Sequence, residues 1–203
     1  MKRQEHNIMR GLLVIAAVFA LSVAPRPARA AAASGVRLEL FLEPLDGQGW
    51  QWFFLADTVR RRLDGAEFKV YPLVAKNASG QFEARRGEAE LAEGERMAVI
   101  LRKYPRKLPN YLNARAMSPS AEGWRDAALF AGLNPDELEK LAAAEGRGAL
   151  EEAYKAAAAA GAAQSSLFLG GRRYQRAPRL LPLYDAVNAA LPAARRLPPP
   201  KRR

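Results

Sequence analysis

One short junction constrains this chain more than any other: an alternating apolar run that breaks into a glycine-rich turn and leaves as an aromatic-led helix. In Val36-Arg-Leu-Glu-Leu-Phe-Leu-Glu43, Val36, Leu38, Leu40 and Leu42 share one face, which is the period of a β-strand. Pro44 and the Gly47/Gly49 pair end it. A helix from about Trp50 places Phe53, Ala56 and Val59 on one side, sets Asp57 four residues before Arg61, and is closed by Gly65. Phe68 to Val74 reads as a second strand, ended by the turn-rich Lys76-Asn-Ala-Ser-Gly80. Asn77-Ala78-Ser79 matches a glycosylation sequon and is read as a polar turn. Asp46, just ahead of the helix, suits an N-cap, because its carboxylate can accept the free N–H groups of the first turn.

From Leu91 the pattern turns helical for some seventy residues. Pro105 ends the first helix, and Ser120 to Gly132 places Trp124, Ala127, Ala128 and Phe130 mostly on one face. Asn134, Pro135 and Glu137 form a helix start. Gly146 and Gly148 are expected to interrupt before an Ala-rich helix that Gly161 terminates. Ser166 to Arg173, with Gly170-Gly171 at its centre, reads as a β-hairpin. A last helix spans about Leu181 to Leu191. The order is strand, helix, strand, helical block, hairpin, helix: an α/β chain with about 160 residues between its tails, enough for one domain with an ordinary core.

Composition then removes function classes. There is no cysteine, and the single histidine, His6, lies in the first thirty residues. Beyond residue 30 there is no material for a Ser-His-Asp or Cys-His nucleophile, a thiolate zinc site or a disulfide. Those first thirty residues have the layout of a secretory signal peptide: Lys2, Arg3 and Arg10, an apolar run from Gly11 to Val23, and Ala28-Arg29-Ala30 as a cleavage signature. The run is shorter than the ~20 residues of a spanning helix, and an uncleaved anchor is the alternative reading. The formal charge of +11 belongs mostly to the ends: residues 1–30 account for +4 and the last nine for +5, leaving +2 for residues 31–194. Nucleic-acid binding, which needs basic residues clustered on the fold, is not expected. The chain therefore divides into a signal peptide (1–30), a short linker (31–35), one domain (36–192) with a helical insertion at about 88–160, and a basic Pro-rich tail (193–203) expected to be disordered.

Three stretches carry a resemblance. "LELFLEPLDGQGWQWF" is similar to a first strand entering an active-site turn; "ERMAVILRKYPRKLPNYL" holds a Lys, a Tyr-Pro pair and a later Tyr; "GAAQSSLFLGGRRY" is similar to a cis-proline segment ahead of an apolar strand and glycine turn. Together they resemble the DsbA-like thioredoxin-fold family of bacterial periplasmic oxidoreductases, over roughly Val36 to Leu191. The resemblance implies a thioredoxin-like fold with a helical insertion between the second strand and the C-terminal hairpin. It aligns Asp46-Gly47-Gln48-Gly49 with the Cys-x-x-Cys motif and Ser165 with the cis-proline. Dithiol exchange needs a thiolate and a second sulfur, so the family's reaction is not available to this chain. On that alignment, an Asp46→Cys/Gly49→Cys pair is expected to oxidise readily.

What remains is a redox-inactive exported module that binds or scaffolds a protein, with a chaperone-like helper of periplasmic folding as the alternative. Its partner would be an unidentified protein or peptide of the cell envelope. By the same resemblance, Trp50, Trp52 and Ser165 are the peptide-binding candidates, with no catalytic residue and no cofactor. Core packing is the competing reading for most of Trp50, Trp52, Phe53 and Phe54, with at least one facing outward. Glu43 with Asp46 offers too few oxygens for a Ca²⁺ site. Arg172, Arg173, Arg176 and Arg179 suit either an acidic partner or a solvated strand edge. Export is checked by sequencing the N-terminus of the secreted chain, which is expected to begin at Ala31; a membrane-bound chain retaining Met1 would contradict it.

Overall fold

The computed structural model describes residues 35–198. The apolar run Gly11–Val23, the Ala28–Ala30 cleavage signature and residues 199–203 lie outside the described residues. Strand β1 (Val36–Leu42) enters helix α1 (Gly47–Arg62), which returns through β2 (Ala66–Pro72). Two short strands, β3 (Ala75–Lys76) and β4 (Phe82–Glu83), pair as a separate hairpin. Four helices follow: α2 (Glu88–Lys103), α3 (Leu108–Met117), α4 (Trp124–Phe130) and α5 (Pro135–Ala160). The chain closes with β5 (Ser166–Leu169), β6 (Arg172–Arg173) and α6 (Leu180–Ala190).

The main sheet has the order β2-β1-β5-β6. β1 pairs with β2 in parallel, Val36 opposite Ala66 through Leu42 opposite Pro72, and with β5 antiparallel, Leu38 opposite Leu169. Its neighbours pair both edges of β1, and helices cover its two faces unequally. Leu38, Leu40 and Leu42 are fully buried on the face that α1 covers, whereas Phe41 points the other way. There it stacks on Tyr71 at 5.4 Å, meets Phe168 edge-on at 5.3 Å, and packs near Ala157 of α5. Each such large apolar side chain, once enclosed, contributes roughly 1.5–3 kcal/mol. Gly170 and Gly171 both take positive φ, 57° and 78°, which a two-residue type I′ hairpin turn requires.

Several boundaries differ from the sequence reading for identifiable reasons. α1 starts at Gly47 rather than near Trp50, because the Asp46 cap holds both glycines in its first turn. α2 starts at Glu88, three residues before the apolar period becomes visible at Leu91. The Lys76–Gly80 turn carries the unanticipated β3–β4 hairpin, and the Asn77 side chain accepts the backbone N–H groups of Ser79 and Gln81, both at 3.0 Å. At the C-terminus, the described part of the Pro-rich segment is not a free tail. It forms a 3₁₀ turn (Ala193–Arg195), and Asn188 exchanges two side-chain hydrogen bonds with the Leu197 backbone.

The clearest departure is α5, a continuous helix of 26 residues where Gly146 and Gly148 suggested a break. Asn134 caps its start through bonds from Asp136 and Glu137, and Gly161 ends it at φ 69°. Gly146 is present for packing: a Cβ there would sit 2.6 Å from the Cβ of Glu95 on α2. The close approach of the two helices thus depends on a missing side chain. α2 and α3 are further tied by a buried ionic cluster. Glu93 accepts from the Tyr111 hydroxyl at 2.8 Å, from Arg115 at 2.7 Å, and from Arg96 at 2.9 and 3.0 Å. Burial, and next the Glu93 charge, hold the Tyr111 phenol well above its ordinary pKa, so it stays a donor.

The two α5 glycines make opposite predictions. Nothing approaches a Cβ at Gly148, so Gly148→Ala is expected to stabilise by about 0.5–1 kcal/mol. Gly146→Ala gains the same helix propensity but forces α2 aside, at a cost of about 1–3 kcal/mol. Thermal melts that show Gly146→Ala as the more stable variant would contradict the packing account.

Candidate functional site

The turn between β1 and α1 is held by carboxylates. Asp46 caps α1 by accepting from the N–H groups of Gln48 at 3.3 Å and Gly49 at 3.1 Å. One residue earlier, the Leu45 N–H donates to Glu90 at 3.0 Å. Glu90 lies in the first turn of α2 and is fully buried, and it also accepts from the Arg86 backbone at 2.9 Å and guanidinium at 3.0 Å. That guanidinium reaches Asp46 at 3.3 Å and Glu43 at 4.0 Å, while Arg85 stands 3.7 Å from Glu43. A fully buried carboxylate is tolerated only when its oxygens are satisfied and its charge is paired. Arg86 provides the pairing for Glu90 and links it to the helix cap.

Glu43 ties this turn to the segment ahead of β5. Its backbone N–H donates to Ser165 Oγ at 3.1 Å, and the Ser165 N–H and hydroxyl face the Glu43 carboxylate at 3.4 Å. Gly49 completes the junction. A Cβ at this position would lie 2.4 Å from Leu42 Cδ1 and 2.8 Å from Ser165 Oγ. Glycine suits this position because the Leu42 and Ser165 side chains fill the space a Cβ would take, and both would have to turn aside for one. The aligned positions Asp46, Gly49 and Ser165 are therefore brought together. Gly47 has open surroundings, and Gln48 is exposed beside them.

The aromatic candidates separate. Trp50 is buried, donates its indole N–H to the Pro44 carbonyl at 3.0 Å and packs edge-on to Phe53 at 5.7 Å, so it is a core residue rather than a peptide-binding surface. Trp52 is also mostly enclosed, edge-on to Tyr174 at 5.7 Å, but it lines a cavity. Phe53 is buried, and Phe54 faces outward at 41% exposure.

Two cavities adjoin successive parts of the stretch from Ala162 to Leu167, which bends at Gln164 and Ser165 before entering β5. One, of about 540 Å³, is bounded by Glu43 and Arg85 at one end and by Tyr154, Ala157, Ala158 and Ala162 along its wall. The other, of about 450 Å³, is lined by Gln48, Trp52, Ser165, Arg173, Tyr174 and Arg176. The sequence pointed to Asp46, Gly49 and Ser165. It gave no sign of the links from Arg86 and Glu90 to this turn, which span 40 and 45 residues. An acidic residue in the first turn of a helix is ordinarily read as a dipole partner, as Glu90 would be.

The Gly49 junction also revises the expectation for an engineered Cys pair. Under reducing conditions, Gly49→Cys is expected to lower stability by about 1–3 kcal/mol in chemical denaturation. Adding Leu42→Val and Ser165→Gly should recover part of that loss. A Gly49→Cys chain as stable as wild type would show that room for a second sulfur remains.

No family model matches the chain, and no curated protein matches it in sequence. Solved structures do match. A candidate protein-disulfide isomerase from Pseudomonas syringae superposes with a TM-score of 0.53 at 14% identity, over 76% of this chain and 95% of that one. MdbA, a thiol-disulfide oxidoreductase from Actinomyces oris, superposes with a TM-score of 0.51 at 15% identity, over 79% of this chain and 83% of that one. The fold is thus the thioredoxin-like fold of DsbA-like proteins, with a helical insertion and without a cysteine.

Proposed function

We propose that this chain is an exported thioredoxin-fold module that binds or scaffolds another protein and carries out no dithiol exchange. The solved structures it resembles are described as a candidate disulfide isomerase and a thiol-disulfide oxidoreductase. Such exchange needs an attacking thiolate and a second thiol, and this sequence holds no cysteine. The observation that carries the reading is the Gly49–Ser165 junction. A side chain is crowded by Leu42 and Ser165 there, while the segment leading into β5 beside it borders two cavities. A backbone segment of this kind can pair with an extended peptide by strand addition without any sulfur. Without the proline, the Gln164–Ser165 bond loses its bias towards cis, so the groove is expected to differ in shape and to hold peptide weakly.

The alaninyl wall of the larger cavity favours the second reading, a chaperone-like helper that holds apolar stretches of unfolded chains. Export rests on the layout of residues 1–30, and places the protein in the periplasm or outside the cell. Among the described residues, no helix is long and apolar enough to cross a membrane.

The test uses the exported protein and a fluorescein-labelled unfolded client, reduced and carboxamidomethylated lysozyme. The client is expected to bind, and both Gln164→Arg and Ser165→Arg are expected to weaken it about tenfold, with circular dichroism unchanged. Gln164 is exposed, so its replacement leaves the Glu43–Ser165 bonds intact. Insulin reduction is expected to proceed at the rate of buffer. Unaltered client affinity in both variants would place the binding surface elsewhere.

A further inference from the structure

The cavity on the Trp52 side of Ser165 contains more than a peptide-shaped hollow. Arg173 and Arg176 both line it, and among the described residues no ion pair engages either of them, nor Arg172 or Arg179. Many other arginines are paired, among them Arg60 with Asp57, Arg86 with Glu90, Arg96 and Arg115 with Glu93, and Arg125 with Asp136, whereas the exposed Arg62 and Arg106 also have no ion pair among the described residues. Tyr174 lines the same cavity; its hydroxyl oxygen is enclosed with no hydrogen-bond partner, and its ring is held edge-on against Trp52. Burial pushes the Tyr174 phenol above its ordinary pKa, so it stays a neutral donor, while Arg176 opposes that shift. An orphan buried hydroxyl is costly unless a partner arrives.

A solvated, charge-protected strand edge accounts for Arg172 and Arg173, which form the two-residue edge strand β6. It does not account for Arg176, which lies beyond the strand and lines the cavity, or for the unsatisfied hydroxyl. One acid, Asp185 of α6, and one arginine, Arg176, act on the Tyr174 phenol, and two arginines line the cavity. The first turn of α1 contributes Gln48 to the same wall, its helix dipole already met by the Asp46 carboxylate.

We infer that this cavity selects an acidic residue of an extended partner peptide, its carboxylate received by Arg173, Arg176 and the Tyr174 hydroxyl. This rests on the proposed peptide-binding role of the segment at Ser165. Guanidinium groups match carboxylates in geometry and form charge-assisted hydrogen bonds roughly twice as strong as neutral ones. The Tyr174 O–H donates to the same anion, and the partner backbone lies along Gln164 and Ser165.

The test is an anisotropy titration of the exported protein with three fluorescein-labelled peptides that share an apolar framework. Their central residues are all Glu, all Gln or all Lys. The Glu peptide is expected to bind about tenfold tighter than the Gln peptide in low salt, with the preference shrinking as salt rises. Arg173→Ala/Arg176→Ala is expected to bring the two peptides to equal affinity. Tyr174→Phe should reduce the preference a few-fold while circular dichroism and Gln-peptide affinity stay unchanged. Equal binding of Glu and Gln peptides by wild type, or a preference that survives loss of both arginines, would overturn the acidic selection and leave the binding role intact. Absence of binding by all three peptides while the unfolded lysozyme client is still captured would likewise overturn it. Loss of client capture as well would overturn the proposed binding role itself.

Discussion

Everything at the candidate site depends on how closely the first turn of α1 approaches the strand and segment it faces. Gly49 has no side chain because Leu42 and Ser165 occupy the volume a Cβ would need. That approach positions Ser165 to bond the Glu43 backbone, and Glu43 to face Ser165 in return. The parallel pairing of β1 with β2 and its antiparallel pairing with β5 hold the two segments at that separation. In a close-packed interior a Cβ at Gly49 would be felt by both neighbouring side chains. The same construction recurs at Gly146, where the absence of a side chain lets α2 and α5 meet.

The second constraint is electrostatic. A helix N-terminus favours an anion, and this turn supplies Asp46 as the capping carboxylate. Glu90 fixes the preceding residue from α2, and Arg86 joins the two carboxylates while extending towards Glu43. On the alignment expected from the sequence, the turn that would hold Cys-x-x-Cys instead carries three carboxylates against two arginines, the carboxylates engaged by backbone N–H groups and guanidiniums. Two surface cavities adjoin the network, and the arginines of the second have no acidic partner among the described residues. The resulting picture is a turn closely packed against Ser165, with two cavities beside it.

Much of the architecture was legible because its signals are local. The alternation of Val36 to Leu42, the Asn134 and Gly161 helix ends, the Asp57–Arg61 pair at 2.7 Å and the Gly170-Gly171 turn each rest on neighbouring residues. Gly146 and Gly148 misled because a glycine in a helix reads as a break, and only the distance to Glu95 shows that one of them serves packing. Trp50 was drawn into the binding surface by its place in the turn, whereas its indole N–H is used internally by Pro44. Glu90, Glu93 and Arg115 were invisible for a common reason. Charged residues in amphipathic helices are read as solvent-facing, and full burial becomes evident only once their partners on other elements are in place.

The most direct test of the account is a double-mutant cycle between Arg86 and Glu90, followed by chemical denaturation. Removing one member of a fully enclosed ion pair costs ~3–5 kcal/mol; Arg86 reaches solvent, so Arg86→Met is expected to cost about 2 kcal/mol. Combining it with Glu90→Gln should cost clearly less than the sum of the singles, with a coupling of about 1 kcal/mol or more. Single-variant costs that add to within about 0.5 kcal/mol would contradict the claim that a carboxylate–arginine network holds the turn.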